Sequence, residues 1–186
     1  RGDEIVGVCD SVIVEVDMDK DIIKKFVQLC EKHHKKLYGV VSNMSIAVER
    51  RDLLQKFDCF ICNQLEAGIF FTDDYSEKTP EELCKILAER LPVAKIPSMV
   101  VTMGGEGAVY ADMQGNSGFC PAQKVHVKDT TGAGDAFCAG VSAGLTYGKT
   151  LAESVEIGTR LAASVIVSSE NVCPRFLPEE FGISVK

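Results

Sequence analysis

The sequence predicts an α/β fold with a mostly parallel sheet and helices on both faces. Short β-branched runs alternate with segments of helical apolar spacing, and cap and turn residues mark the joins. With 46% hydrophobic residues, a chain of 186 can bury one ordinary core.

Val12-Ile13-Val14-Glu15-Val16 is short and β-branched and predicts the first strand. Asp17-Met18-Asp19 then precedes Ile22, Ile23, Phe26, Val27 and Cys30 at helical spacing, so the strand passes through a cap into a helix. Leu37 to Val41 and Phe57 to Cys62 give two further strands, separated by a polar, helix-prone stretch holding Glu49, Arg50, Arg51 and Asp52. Thr79 as N-cap and Pro80 at the first helical position open a helix to Leu91, with Leu83, Ile86, Leu87 and Leu91 on one face. Met99 to Thr102 reads as a strand, and Gly104-Gly105-Glu106-Gly107 as a tight turn into Ala108-Val109-Tyr110, which predicts a hairpin at the sheet edge. Val125 to Val127 supplies one more strand. Helical periodicity from Asp135 to Leu145 and from Leu151 to Val167, broken at Gly148, completes the pattern. No repeat, low-complexity run or linker divides the chain, so a single domain is expected.

A net charge of −7 without any run of basic residues argues against nucleic acid and acidic membranes as partners. No apolar run reaches bilayer-spanning length, and Arg1-Gly2-Asp3-Glu4 lacks the layout of a signal peptide, so a soluble, cytoplasmic protein is expected. The opening on Arg, almost directly before the strand at Val12, is not expected of a native initiation site. Most of the eight cysteines lie in apolar patterns and read as reduced core thiols. Cys59 and Cys62 have the spacing of a zinc half-site or redox pair. No second pair accompanies them, His33-His34 belongs to another segment, and Phe57 to Cys62 alternates like a buried strand, so core packing without metal is expected.

The chemistry concentrates in Asp129-Thr130-Thr131-Gly132-Ala133-Gly134-Asp135, between the strand expected at Val125 to Val127 and a helix expected to open at Ala136. Glycines let the backbone approach a ligand, and the free N–H groups of a first helical turn form an anion site suited to phosphate. At that place Asp135 would be held ionised by the helix N-terminus, able to take a proton from an alcohol. On physical grounds alone the same residues serve equally as a helix cap and a bend. Gly144-Leu145-Thr146-Tyr147-Gly148-Lys149-Thr150 is one residue short of a phosphate-binding P-loop and follows a helix, and Phe137 breaks a dinucleotide pattern begun by Gly132 and Gly134.

D-T-x-G-A-G-D, followed by Ala136-Phe137 and Ala139-Gly140, resembles the signature of the PfkB, or ribokinase-like, kinase family. Asn63-Gln64-Leu65-Glu66 resembles the family's N-x-x-E, and Thr102-Met103-Gly104 with Gly107 its T-x-G-x-x-G; all three motifs are expected at carboxyl ends of strands, where ligands of open α/β sheets collect. The resemblance covers the chain from Val12 onward. It implies a three-layer α/β/α fold and ATP-dependent transfer of the γ-phosphoryl group to a hydroxyl of a sugar or nucleoside. In those terms Asp135 is the base, and the turn Gly132, Ala133, Gly134 and Asp135 stabilises the transferring group through its N–H groups. Thr102, Gly104, Gly107, Thr130 and Thr131 hold the nucleotide, and Asn63 and Glu66 place magnesium, Glu66 through water. Potassium or another monovalent cation is implied beside the anion hole, held in part by Asp129 and Thr131; its C-terminal ligands do not align onto Ser168-Ser169-Glu170-Asn171.

Length is where the chain departs from the family. The N-terminal strands, β-lid and acceptor-gripping residues of family members have no counterpart here, so residues 1–186 are expected to be the C-terminal nucleotide-binding and catalytic portion of a ribokinase-like domain, inactive alone. A homo-oligomer or a complementing N-terminal fragment would cover the sheet edge left open. A binding module without catalysis is the other reading. Leu151 to Val155, Cys173-Pro174-Arg175-Phe176 and Val40-Val41-Ser42 resemble pseudouridine kinase-like members, and a sugar acceptor fits nearly as well.

Overall fold

The computed structural model describes residues 1–168 and 176–184. The chain forms two compact units, one of Arg1–Met103 with Val109–Phe119 and one of Gly104–Ala108 with Cys120–Lys186. A six-stranded sheet runs in the order β1 (Ser11–Glu15), β2 (Lys36–Val40), β3 (Cys59–Asn63), β4 (Ser98–Thr102), β5 (Gly107–Asp112) and β6 (Ser117–Pro121). The first four strands are parallel, with Val12 opposite Leu37, Gly39 opposite Phe60 and Asn63 opposite Thr102. The links from β4 to β5 and from β5 to β6 are too short for a crossover, so these neighbours run antiparallel.

In the first unit, crossovers between the parallel strands carry α2 (Lys20–His33), the short α3 (Met44–Val48) and α4 (Arg51–Leu54), then α5 (Gln64–Phe71) and α6 (Pro80–Ala94). β3 is buried at four successive positions and β4 at three, as central parallel strands covered on both faces require. β1 is an edge strand, and its Ile13 remains 52% exposed. Leu83, Leu87 and Leu91 form the buried stripe of α6 and join Phe60, Met99 and Val101 of the sheet in one core. The start of α6 follows its sequence signal closely: Thr79 accepts from the N–H of Glu82, whose carboxylate accepts in return from the Thr79 N–H, and Pro80 sits in the first turn.

A helix that the sequence reading did not anticipate, α1 (Gly2–Val8), precedes β1. Seven residues including two glycines hold little helix of their own. Side chains dock it: Lys32 Nζ donates to both carboxylate oxygens of Asp3, at 2.8 and 2.9 Å, and His33 Nε2 lies 2.9 Å from one of them. Lys32, then His33, hold the Asp3 carboxyl at about 2 instead of its ordinary 3.8.

The strand expected at Val125 to Val127 is absent; residues 122–132 form no strand, and Val127 is 50% exposed. Lys124, His126 and Lys128 alternate with the two valines, leaving too little apolar surface for a buried strand. The Lys128 N–H instead donates to Ile166 O at 2.8 Å. The strand that does form, β6, begins Ser117-Gly118 and shows no β-branched signal. Its turn is fixed by Asp112, whose N–H donates to Asn116 O while its carboxylate accepts from the N–H groups of Gln114 and Asn116. Cys30, Cys59 and Cys62 are buried, Cys9 and Cys84 are half-buried and pack against the core of the first unit, and Cys120 and Cys138 are half-buried.

The second unit is built on α7 (Ala133–Thr146) and α8 (Leu151–Ile166). They approach through glycine: a Cβ on Gly140 would lie 2.6 Å from Gly158 Cα, and one on Gly144 would lie 2.6 Å from Ser154 Oγ. Thr150 and Glu153 cap α8 reciprocally.

Two outcomes follow from these contacts. Because the Asp3 pKa is depressed on folding, its contribution is complete above about 3.8 and lost as pH falls through about 2; amide protection across Gly2–Val8 is expected to disappear over that window, and Asp3→Asn to lack the protected plateau above it. Gly140→Ala is expected to lower stability by about 1–3 kcal/mol, read from the urea midpoint.

Candidate active site

In the first unit, polar residues gather where the parallel strands end. β3 terminates at Asn63 and β4 at Thr102, opposite each other in register. The Thr102 hydroxyl donates weakly, at 3.5 Å, to Cys62 O. Asn63 is the N-cap of α5: its side chain accepts from the Glu66 N–H at 2.9 Å, and Glu66 Oε2 accepts from the Asn63 N–H at 2.8 Å. Glu66 is therefore a capping residue and not a freely solvated carboxylate. Half-buried, it has its carboxyl pushed above the usual range by burial, while the Asn63 bonds pull it back.

Glu15 and Ser42, not among the residues the sequence motifs single out, lie at the corresponding ends of β1 and β2. The Ser42 hydroxyl donates to the Glu15 carboxylate, and both are exposed. The available signal was a lone acid near the end of an apolar β-branched run, a position that faces the ligand side of such sheets.

In the second unit, the segment resembling the family signature follows loop, not strand, so only two of the three motifs stand at strand ends. The helix begins at Ala133, three residues earlier than expected, behind an N-cap at Gly132 with φ of +79°. That left-handed backbone suits glycine, and no side chain caps the helix. The Ala133 N–H donates to Thr130 O at 3.2 Å, and that of Ala136 to Gly132 O at 3.0 Å. The N–H groups of Gly134 and Asp135, in the first turn, have no acceptor within the helix. Both residues are exposed, and a Cβ on Gly134 would meet nothing within 4 Å. Among the described residues the Asp135 carboxylate takes no hydrogen bond or ion pair and caps nothing.

Asp129 Oδ1 accepts from the Thr131 N–H at 2.9 Å and its hydroxyl at 2.8 Å, and these bonds hold the carboxyl below its usual range. Thr130 and Thr131 are exposed. Gly104, exposed with φ of +57°, opens the turn before β5. Gly107 differs: it is buried at φ of +133°, and a Cβ there would stand 2.1 Å from Cys120 O, so its role is to let two backbones meet. The segments Ser169–Asn171 and Cys173–Arg175 lie outside the described residues.

Among the described residues no group of three or more His, Cys, Asp or Glu could hold a metal ion. One partly desolvated carboxylate does fit magnesium, which keeps most of its waters and leans on nucleotide phosphates. No helix among the described residues is long and apolar enough to cross a membrane.

The chain is 38% identical over 163 residues to guanosine-inosine kinase of Exiguobacterium acetylicum, covering 87% of this chain and 53% of the relative. It is 35% identical over 108 residues to pseudouridine kinase of Escherichia coli, covering 58% of this chain and 34% of the relative. In fold it matches the structure of Arabidopsis thaliana ribokinase complexed with ribose and ATP, with a TM-score of 0.79 at 20% identity over 90% of this chain and 53% of that one. It spans about half the length of the guanosine-inosine kinase and of that ribokinase. The family model for pfkB family carbohydrate kinase matches residues 4–176, and the chain belongs to that family.

Proposed function

We propose that this chain carries the phosphoryl-transfer machinery of an ATP-dependent kinase acting on a hydroxyl of a nucleoside or sugar. The observation that carries the reading is the start of α7, where Asp135 stands exposed and, among the described residues, unpaired beside first-turn N–H groups that no side chain caps. In this reading the Asp135 carboxylate accepts the acceptor hydroxyl's proton. The N–H groups of Gly134 and Asp135, with the left-handed Gly132 and with Ala133 braced on Thr130, stabilise charge on the transferring γ-phosphoryl. Thr102, Gly104, Thr130 and Thr131 position the nucleotide phosphates, and Gly107 shapes the turn that carries Gly104. Magnesium, when bound, neutralises phosphate charge; Glu66 holds its waters with Asn63 fixing that carboxylate. Asp129 and Thr131 contribute to a monovalent cation site.

The identity to guanosine-inosine kinase supports a nucleoside acceptor ahead of a sugar. That the chain spans about half of that relative supports a second reading, nucleotide binding by this chain with acceptor grip supplied from outside it. A second copy or a complementing fragment over the edge of β1, where Ile13 is exposed, would supply it, and the protein would work in the cytoplasm.

Asp135→Asn in the active enzyme is expected to lower kcat by at least about 100-fold while leaving the calorimetric affinity for ATP within about twofold. Near-normal turnover by that variant removes the assignment of the base. ADP release by this chain with inosine, alone and with a complementing N-terminal fragment, separates the two readings.

A further inference from the structure

Gln64, between the two polar residues of the Asn63–Glu66 pair, has a half-buried side chain that the roles assigned above leave unused. Its Nε2 donates to Tyr75 O at 2.5 Å and to Lys78 O at 3.0 Å. An amide nitrogen has two hydrogens to give, so both are spent on carbonyls 11 and 14 residues further along. The segment so held is the return from α5 to α6, and it is packed closely on α5. The Asp73 N–H donates to Gly68 O at 2.9 Å, a Cβ on Gly68 would lie 2.7 Å from Asp73 O, and Tyr75 is 1% exposed.

The capping box between Asn63 and Glu66 spans three residues and turns with the helix that it caps. The Gln64 bonds reach beyond it and tie the first turn of α5 to packed chain. We propose that Gln64 is a positioning residue for magnesium, stapling that turn so that Glu66 keeps Oε2 on the Asn63 N–H and its other oxygen available. The inference rests on the reading of Glu66 given above. Gln64 acts through Glu66, as outer-shell groups orient the ligands of a metal.

Two measurements on this chain test it. In the ligand-free protein, Gln64→Met keeps the side-chain volume and removes the donors; amide exchange at Asn63 and Glu66 is expected to accelerate by about fivefold. In calorimetric titration with ATP at stepped Mg2+, the concentration that half-supports binding is expected to rise about three- to tenfold, with Glu66→Gln shifting it at least as far. Should Gln64→Met fail to fold, Gln64→Asn, one methylene too short to reach both carbonyls, is read in its place. Faster exchange confined to residues 72–78, with the Mg2+ dependence moved by Glu66→Gln alone, overturns this inference and leaves the reading of Glu66 standing. A Mg2+ dependence that Glu66→Gln does not move, or an absence of Mg2+-dependent ATP binding, overturns that reading and this inference with it.

Discussion

Every α-helix starts with N–H groups that its own backbone cannot satisfy; in this chain Asp19 and Asn43 cap α2 and α3 alone, reciprocal pairs close other starts, and α7, like the short α1 and α4, has no side-chain cap. α5, α6 and α8 close their starts with reciprocal pairs, Asn63 with Glu66, Thr79 with Glu82 and Thr150 with Glu153. α7 starts at Gly132 with no side-chain cap, and its only first-turn acid, Asp135, has no hydrogen-bond or ion-pair partner among the described residues. An uncapped start costs roughly 1 kcal/mol relative to a good cap. The functional reading depends on that difference, because donors already spent on a cap could not receive a migrating phosphate.

Where order was carried by residues adjacent in sequence, it could be read from the sequence. Thr79, Pro80 and Glu82 announce α6, and Leu83, Leu87 and Leu91 announce its buried face. β3 and β4 stand out because central parallel strands need continuous apolar runs, and the sheet order then follows from the alternation with helices. What escaped depends on distant partners. α1 exists through an ion pair with Lys32, 29 residues away, and β6 through a turn organised by Asp112. Val125 and Val127 looked like strand, but the backbone there hydrogen-bonds to the end of α8 instead.

The site shows the same division. The glycines and Asp135 were legible as a motif because a positive φ and an acid in a first helical turn restrict residue type locally. The start of the helix was placed three residues late, since the left-handed angle at Gly132 is a property of the folded backbone. The Glu15–Ser42 pair joins residues 27 apart that only the parallel pairing of β1 with β2 brings together. Gly107, expected at the nucleotide from its motif, is buried where a side chain would collide with Cys120 O.

The glycine seam of the second unit bears on how accurately the proposed base, Asp135, can be aimed. With Gly140 against Gly158 and Gly144 against Ser154, backbone meets backbone where side chains would ordinarily act as a compressible cushion. α7 can therefore neither roll nor slide along α8 without a collision of main-chain atoms, and the carboxylate on its first turn inherits that stiffness. Accuracy at the reacting end of the helix is in this way set two and three turns away, by residues whose only qualification is to have almost no side chain.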